Sequence, residues 1–473
     1  MSATDIDVVV LGGGTAGTHV ATQVARAAKS VVLVEAGLIG GESPYLADLP
    51  VQSLLQSAAR GESWADAVAH RDEVTGGLSD SAAAQRVSDA GVRIIRGTGK
   101  VTAAGLVTVS TGDELLYTDL IIATGSEPIA PPIEGLDAIP AWTTAEGLSS
   151  PDLPRRLIVL GGGPAGCELA QIYAAFGSQV TLVEAEERLL PGEPAFAGEV
   201  LAGALRRAGV EINLGSPAAK AERTGDGLTL ALTDGTRIDA NRVLLATGRR
   251  PRLSGLGLDA LSITVAPGAA LPTTTICQVA DAEGNAVADG HLWAAGDVTG
   301  TGHTHIGRYQ AGIVAANLTG RPREADYSAL PRAVFTTPEV FTVGTVTGDG
   351  LVTARANLAA TAKARAAGGT AAAGGTTAAG GSAGQLELYA DPAAGVLAGG
   401  AAVGPDAAAW MAEITLAIRA RIPVTILADV VHAFPAHGEA LEEALGDIQR
   451  QLAVKETPKE NSTGETPIGR SVG

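Results

Sequence analysis

Cysteine is almost absent from this sequence, and that scarcity limits the chemistry the chain can perform. Only two cysteines, Cys167 and Cys277, occur among the 473 residues, and they lie far apart with no CxxC-type spacing. A disulfide framework needs several paired cysteines, and a cysteine metal site needs clustered ligands. We therefore expect neither a disulfide scaffold nor a metal site.

An excess of positive charge and a long apolar run are also lacking. The formal net charge is −18, whereas nucleic acids and anionic membranes are bound through basic patches, so neither is expected as a partner. No segment resembles a signal peptide or a spanning helix, and Met1 to Asp7 leads directly into a predicted strand. These absences predict a cytoplasmic protein.

What the sequence does contain is a glycine-rich unit that occurs twice. Each copy predicts a strand, a GxGxxG turn, an alanine-rich helix and a second strand that ends in an acid, first from Asp7 to Glu35 and again from Leu157 to Glu184. The interval from the first glycine to the acid is the same in both copies. Two such βαβ units indicate two nucleotide-binding domains.

The remaining patterns predict the secondary structure of the rest of the chain. Continuous Val/Ile/Leu runs, such as 121–125, 243–248 and 291–297, predict parallel strands that are buried on both faces. Beyond about Ala329 the pattern changes to short strands and helices. The predicted fold class is α/β, with two Rossmann-like dinucleotide-binding domains and a C-terminal α+β domain. The stretch 366–384 and the tail from 455 are predicted to be disordered, because their composition cannot bury enough apolar area.

The glycines of each motif have separate roles. The first permits a tight turn, the second lets the backbone approach a pyrophosphate, and the third allows the helix to pack closely on the strand. The helix N-terminus then offers free N–H groups and a positive dipole end to the phosphates. These glycines are Gly12, Gly14 and Gly17 in the first unit and Gly161, Gly163 and Gly166 in the second.

The acid at the end of each unit predicts how the ribose is bound. Glu35 and Glu184 are expected to accept hydrogen bonds from an adenosine ribose. A carboxylate at position 184 suits a free 2′-hydroxyl and repels a 2′-phosphate, so NADH is favoured over NADPH. Arg188 lies nearby and could favour the phosphate, although a solvent-facing helix or loop arginine is the preferred interpretation.

These and further motifs resemble those of the pyridine nucleotide–disulfide oxidoreductases, from about Asp5 to Gln451. The shared segments are 123–128, 246–249, 295–298, 336–340 and 432–439. The resemblance implies an FAD domain at 1–145 completed by 271–330, an NAD(P) domain at 146–270, a dimerisation domain at 331–452, and a disordered tail at 453–473. It also implies a homodimer. Beyond the two glycine motifs and their acids, it assigns cofactor binding to Thr124, Gly125, Glu168, Gly248, Gly296 and Asp297.

Two of these assignments have alternatives. By the resemblance, Asp297 bonds the ribityl chain of FAD, but it could be only a turn residue at the end of a strand. Glu168 stands at the family's glutamate position near the nicotinamide and the flavin-side lysine, but it could be an acid on a helix surface.

The departures from the family concern thiol chemistry. Alignment on Gly40, Gly41 and Pro50 puts Ser43 and Asp48 where the family's two redox cysteines belong, and Gln52 where its lysine belongs. Neither serine nor aspartate cycles between thiol and disulfide, which excludes dithiol chemistry here. Cys167 and Cys277 are both interpreted as buried packing residues.

The C-terminal motif differs as well. The family's acid–base histidine position holds Phe434, whereas its glutamate partner is retained as Glu439 and His432 matches the motif's other histidine. His437 is an additional imidazole that either faces the site or is an exposed loop residue.

The resemblance therefore predicts a remodelled pocket on the disulfide side of the flavin. Ser43, Tyr45 and Asp48 would line it, with Phe434 closing it from the other subunit. Asp48 would handle a proton if it is desolvated, and otherwise is a surface acid without a role. The residues considered for catalysis are Ser43, Tyr45, Asp48, Gln52, Phe434, His437 and Glu439.

Several functions are compatible with these motifs. The preferred one is a reductase that passes electrons from NADH through FAD to a small acceptor such as a quinone. Transhydrogenation between nicotinamide nucleotides is a close variant. The alternatives are a biosynthetic flavoenzyme that transforms a specialised metabolite in the remodelled pocket, and a non-catalytic flavoprotein.

Overall fold

The computed structural model describes residues 4–225, 227–368 and 384–456. The chain divides into two compact units, Met1–Phe341 and Thr342–Gly473. The two segments predicted to be disordered are 366–384 and the tail from 455. Most of each, residues 369–383 and 457–473, lies outside the described residues. Within the described ranges, no helix has both the length and the apolar character needed to span a membrane.

The strands give the bounds of the sheets. In chain order they are β1 Thr4–Leu11, β2 Val31–Glu35, β3 Val92–Arg96, β4 Gly99–Ala103, β5 Leu106–Val109, β6 Glu114–Ile122, β7 Ser126–Pro128, β8 Ala141–Thr143, β9 Arg156–Leu160, β10 Gln179–Val183, β11 Glu211–Asn213, β12 Ala218–Thr224, β13 Gly227–Leu232, β14 Arg237–Ala240, β15 Arg242–Leu245, β16 Arg249–Pro251, β17 Leu292–Ala294, β18 Pro331–Val334, β19 Glu339–Gly344, β20 Val352–Asn357, β21 Gln385–Asp391 and β22 Val396–Gly404.

The helices connect these strands. In chain order they are α1 Thr15–Arg26, α2 Ser43–Leu46, α3 Asp48–Ala59, α4 Trp64–Val74, α5 Ser81–Asp89, α6 Thr144–Ser149, α7 Pro164–Ala175, α8 Ala195–Arg207, α9 Thr304–Leu318, α10 Ala362–Ala366, α11 Ala407–Trp410, α12 Ala412–Arg419, α13 Val424–Leu427 and α14 Gly438–Glu456.

The first sheet of unit one is organised around β1. Its order is β3-β2-β1-β6-β5-β4, and β17 also pairs with β6. Val8 and Val10 pack in one core with α1 and α9, while Val9 and Leu11 pack in a second core on the opposite face. Because alternate side chains of a strand point to opposite faces, both faces of β1 are buried. This burial confirms the interpretation of the continuous apolar runs.

A second parallel sheet repeats the arrangement. Its order is β11-β10-β9-β15-β8, with β9 between β10 and β15 as β1 lies between β2 and β6. A separate antiparallel sheet, β12-β13-β14, contributes Leu228 and Leu230 to the core of this region. The predicted pair of Rossmann-like units is therefore present.

A two-stranded ribbon joins the two regions. Each of the two Ala-Thr-Gly turns continues into one strand of the ribbon, β7 after Gly125 and β16 after Gly248, and the two strands pair antiparallel. Thr124 donates its hydroxyl hydrogen to the carbonyl oxygen of Arg252 at 2.6 Å, and Thr247 donates to that of Ile129 at 2.8 Å. The threonines thus fix the two connections between the domains.

Unit two is an α+β unit. Strand β21 pairs antiparallel with β20 and with β22, and helix α14 packs on β20 and β21. Helix α14 continues to Glu456, beyond the tail boundary predicted at residue 453. Its apolar side, which includes Leu441, Leu445 and Ile448, is buried in this unit.

Candidate functional site

The first glycine turn follows β1 and begins α1. Gly12 has φ +103°, and a Cβ there would collide with the carbonyl oxygen of Ala123. A Cβ on Gly17 would collide with the carbonyl oxygen of Gly12, so the helix approaches the turn too closely for alanine. A Cβ on Gly14, which caps α1, would meet only the Cα of Gly41 at 3.9 Å. The space beside Gly14 and the free N–H groups of the helix fit a pyrophosphate.

The second turn follows β9 and has the same geometry. Gly161 has φ +106°, and Gly166 packs against its carbonyl oxygen as Gly17 packs against that of Gly12. Gly163 caps α7, and a Cβ there would meet nothing within 4 Å. The three glycine roles predicted from the sequence therefore have the same steric basis in both copies.

The two acids lie beside these turns. Glu35 accepts hydrogen bonds from the backbone N–H of Gly13 and, at 2.5 Å, from that of Gly37. Glu184 accepts them from the N–H of Gly162 and, at 2.9 Å, from that of Glu186. Each carboxylate is thereby held at the edge where a ribose would be expected. Both acids are partly exposed, so their remaining lone pairs can accept ribose hydroxyls.

Arg188 does not extend freely into solvent. Its guanidinium donates to the carbonyl oxygen of Glu193 at 2.8 Å and to that of Pro191 at 2.6 Å. It is a loop arginine, as the preferred interpretation held, but it is half-buried and bonded to its own loop and does not face solvent as that interpretation expected.

The turn after β17 brings a third segment to the first site. β17 and β1 both pair in parallel with β6, so the ends of all three strands meet at one edge of the sheet. Gly296 packs against α1, since a Cβ there would lie 3.3 Å from that of Ala16. Asp297 follows at this edge, is half-buried and accepts a hydrogen bond from the Ser126 hydroxyl at 2.5 Å. This is the edge at which open α/β sheets bind their ligands.

A charged network at this edge was not predicted from the sequence. Arg249 donates to the Ser126 hydroxyl oxygen at 2.7 Å and to the Glu42 carboxylate at 2.6 Å. The network therefore runs from Asp297 through Ser126 and Arg249 to Glu42. Glu42 directly precedes α2, so the network ties the first residues of the remodelled segment to the ribbon. The signal available in the sequence was the arginine that ends the second Ala-Thr-Gly motif.

Ser43 and Asp48 lie side by side. The Ser43 hydroxyl donates to the Asp48 carboxylate at 2.7 Å, and the Thr304 hydroxyl donates to the same oxygen at 2.8 Å. Asp48 is exposed in a single copy of the chain, so the desolvation considered for it is not present there. Thr304 is the first residue of α9 and was not singled out in the sequence.

Glu168 lies on α7 and is only 9% exposed, which excludes the interpretation as a surface acid. Its carboxylate accepts a hydrogen bond from the backbone N–H of Phe335 at 2.8 Å. Burial raises the pKa of Glu168 to about 7, and the negative charge of Asp48 adds to the rise, while the hydrogen bond from Phe335 opposes it. Among the described residues no cation forms an ion pair with Glu168. A carboxyl group of this kind can hold or release a proton near neutral pH.

Comparison with known protein families agrees with this geometry. Residues 6–317 match the pyridine nucleotide-disulphide oxidoreductase model, and residues 330–445 match the dimerisation domain of the same family. The chain belongs to this family. The resemblance inferred from the motifs and the predicted fold class are therefore confirmed. Members of the family are oxidoreductases that bind FAD and a nicotinamide nucleotide.

Individual relatives match over most of their length. Dihydrolipoyl dehydrogenase of Bacillus subtilis is 26% identical, over 92% of this chain and 97% of its own. Mercuric reductase of Streptomyces lividans is 29% identical, over 71% of this chain and 75% of its own. The structure of the HOCl-induced flavoprotein disulfide reductase RclA from Escherichia coli matches with a TM-score of 0.82 and 25% identity, over 93% of this chain and 99% of that chain.

The cysteines of this family member are both buried. Cys167 is fully buried on α7 with its Sγ 3.4 Å from the carbonyl oxygen of Gly162, and burial raises the pKa of its thiol far above the usual range. Cys277 is fully buried too, and burial raises its pKa to about 11. Both thiols are therefore protonated at neutral pH, and neither is a nucleophile.

The other residues of the remodelled segment face different surroundings. Tyr45 is 9% exposed, and its hydroxyl donates to the carbonyl oxygen of Ile39 at 3.1 Å, so its phenol is engaged within the fold. Gln52 is half-buried on α3, the helix that packs on α7 and so on the segment carrying Glu168.

The predicted C-terminal residues lie in unit two. His432 is hydrogen-bonded to Glu413 and Glu442, each at 3.2 Å. Glu439 accepts hydrogen bonds from the N–H of Ala362 at 2.9 Å and from that of Ala436 at 3.2 Å. These contacts hold the side chains of His432 and Glu439 within the unit.

The two remaining candidates of this unit differ in exposure. His437 is half-buried, which excludes the exposed-loop interpretation, and its Nδ1 is buried without a hydrogen-bond partner among the described residues. Burial lowers its pKa below the usual value, helped by the charge of Lys363. Phe434 is 76% exposed in a single copy of the chain.

The described residues hold no cluster of three or more His, Cys, Asp or Glu side chains that could hold a metal ion.

Proposed function

We propose that this chain is an FAD-dependent NAD(P)H oxidoreductase that works without a redox disulfide. Electrons would pass from NADH through the flavin directly to a small acceptor of the quinone type, and the protein would act as a homodimer in the cytoplasm. The observation that carries the proposal is the hydrogen bond between Ser43 and Asp48, at the two positions that align with the family's cysteines. A hydroxyl and a carboxylate have no thiol–disulfide chemistry.

The glycines and acids at the two turns have the chemistry that FAD and a nicotinamide nucleotide require. Gly12, Gly14, Glu35 and Asp297 would bind FAD, together with the N-terminus of α1. Gly161, Gly163 and Gly166, with Glu184, would bind the nicotinamide nucleotide at the N-terminus of α7. When bound, FAD supplies the two-electron exchange between the nicotinamide and the acceptor.

NADH is the proposed electron donor. The Glu184 carboxylate is fixed by two backbone N–H groups beside the second glycine turn, where it would repel a 2′-phosphate. Arg188, the cation that could favour such a phosphate, already donates to Glu193 and Pro191. Its hydrogen bonds to these carbonyl oxygens support the preference for NADH.

Asp48 and Glu168 would supply the proton. Reduction of a quinone by NADH yields NAD⁺ and a hydroquinone and takes up one proton from solvent. Asp48 lies at the exposed surface, and Glu168, with a pKa of about 7, can exist in either protonation state near neutral pH. The negative charge of Asp48 adds to the rise in the pKa of Glu168.

The proposal is tested by mixing the FAD-loaded protein with NADH in the absence of oxygen and following flavin absorbance. We expect the flavin to bleach with NADH and to recover when a benzoquinone is added, with lipoamide and glutathione disulfide giving no recovery. A Cys167→Ala/Cys277→Ala variant should behave like the wild type. Recovery with a disulfide substrate that is lost in this variant would refute the proposal. Absence of bleaching would indicate a flavin held for another purpose.

The role of Asp48 is tested by Asp48→Asn. We expect quinone turnover to fall by at least about 10²-fold, because positioned proton transfer contributes that much or more. Removing the negative charge of Asp48 should also lower the pKa of Glu168 and so shift the pH profile of turnover toward lower pH. Asp66→Asn is a matched control, because Asp66 is likewise an exposed aspartate near the start of a helix that accepts a serine hydroxyl, from Ser63 at 2.6 Å. Unchanged turnover and an unchanged pH profile in Asp48→Asn would exclude the role.

A further inference from the structure

A cavity outside both dinucleotide sites lies between α1 and α9. Its volume is about 450 Å³. His19 and Gln23 of α1, Arg308 and Tyr309 of α9, and Arg321 and Arg323 of the loop after α9 line it, and no acidic residue does. The volume is within the range typical of small-molecule sites.

The charge of this cavity is unusual for the chain. Three guanidinium groups converge there, although the protein carries a net charge of −18. None of Arg308, Arg321 and Arg323 forms an ion pair with a carboxylate in the part of the chain that the structure describes. By contrast, Arg332 pairs with Glu193 at 2.8 Å. Three unpaired arginines in one cavity form a locally positive site on an acidic protein.

Two of the three arginines, Arg321 and Arg323, have contacts that position their side chains. The Arg323 guanidinium lies over the ring of Tyr309, 5.3 Å from its centroid, and Arg321 donates to the Thr319 hydroxyl oxygen at 3.2 Å. The Gln23 amide nitrogen lies 2.6 Å from the His19 Nε2. Arginines held in this way lose less rotamer entropy when they bind an anion.

We propose that this cavity binds a phosphate-bearing small molecule, at a site separate from the FAD and nicotinamide sites. A guanidinium presents two parallel N–H donors that match the oxygens of a phosphate, and several arginines together can neutralise a dianion. The ligand would contact both α1 and α9. Helix α1 begins at the first glycine turn, and α9 begins with Thr304, which bonds Asp48.

The test is calorimetric titration of the FAD-loaded full chain with inorganic pyrophosphate, at constant ionic strength and with NAD⁺ saturating the nicotinamide site. We expect one pyrophosphate per chain. Arg308→Gln and the double variant Arg321→Gln/Arg323→Gln should each weaken binding at least about tenfold, because charge-assisted hydrogen bonds are lost. Arg308→Lys should recover only part of the affinity, because lysine keeps the charge but not the fork.

The matched control is Arg223→Gln, which removes an exposed arginine from β12, away from this cavity. It should leave pyrophosphate affinity unchanged. The proposal is overturned if wild-type protein binds no pyrophosphate, or if the arginine variants bind it as tightly as wild type. Equal weakening in Arg223→Gln would also overturn it, because the effect would then be one of overall charge. NADH bleaching of the flavin, measured on the same variants, reports separately on the proposed redox function.

Discussion

At the scale of single residues, the main consequence of the altered sequence is a buried carboxyl group without a cation. The resemblance pairs the family's glutamate with a flavin-side lysine, and Gln52 stands at the lysine position. Glu168 is buried on α7 and has no ion-pair partner among the described residues, so its charged form is penalised by the lost hydration. The raised pKa is the direct result.

This penalty predicts a pH-dependent stability. The pKa of Glu168 is about 7 in the folded chain and 4.5 in the unfolded chain. The stability that protonated Glu168 contributes is therefore fully present below pH 4.5 and is lost as the pH rises through 7. The amide of Glu168→Gln does not ionise, so this variant does not lose stability as the pH rises. The variant should therefore gain stability relative to wild type, on the order of 3 kcal/mol, between about pH 4.5 and pH 8.

Urea unfolding at a series of pH values measures the free energy of unfolding of both proteins. The pH dependence of their difference is the test, because any effect of the amide itself is the same at every pH. Glu199→Gln, at an exposed position on α8, is the control and should show no such trend. A wild-type to Glu168→Gln difference that is flat across this range would contradict the assignment of a raised pKa.

At the scale of elements, the two glycine turns are steric copies of each other. In both, the first and third glycines are fixed by close backbone contacts, and only the second faces open space. A methyl group at the first or third position would therefore disturb the fold, whereas one at the second would disturb the ligand. The two copies can thus be tested separately without unfolding either domain.

Gly14→Ala and Gly163→Ala form a reciprocal pair. Gly14→Ala should lower the FAD bound per purified chain, because the methyl group would occupy space beside the pyrophosphate. Gly163→Ala should keep its FAD and weaken NADH binding by about tenfold or more, which is a loss of about 1.4 kcal/mol. Flavin absorbance per chain and an anaerobic NADH titration measure the two effects. If either substitution affected both nucleotides equally, the assignment of one nucleotide to each turn would be wrong.

At the scale of the whole molecule, the question is how copies of the chain associate. Several large apolar side chains of the C-terminal unit are exposed to solvent. The exposed ones between residues 416 and 434 are Leu416, Ile426, Val430, Val431 and Phe434. Exposed large apolar side chains, when they lie together, are candidates for an interaction surface. Because this region matches the family's dimerisation domain, a second copy of the chain is the expected partner.

Val431 is 94% exposed and provides the test of the dimer. Val431→Asp should raise the dimer dissociation constant at least tenfold, about 1.4 kcal/mol, because a charge would be buried without a partner in the interface. Val74→Asp, at a 37% exposed position in unit one, is the control and should leave the dimer intact. Sedimentation equilibrium measures both, and an unchanged dissociation constant for Val431→Asp would remove this surface from the interface.

The sequence by itself determined the two nucleotide-binding units. Each unit consists of a buried strand, a glycine turn, a helix and a second strand that follow one another in the chain. The residues that predict the unit therefore lie within one short segment. The glycines are required by backbone sterics that any neighbouring sequence would impose, and the buried strands are marked by their uninterrupted apolar residues. That positions 43 and 48 hold serine and aspartate was equally visible, because it depends on residue identity alone.

Only the tertiary structure decided the surroundings of Asp48, Glu42 and Glu168. Thr304 is 256 positions away from the Asp48 carboxylate it binds, and Arg249 is 207 positions away from Glu42. The burial of Glu168, the engagement of Tyr45 and the convergence of three arginines likewise depend on which helices pack together. Burial and long-range pairing are properties of the packed chain, so no local pattern in the sequence encodes them.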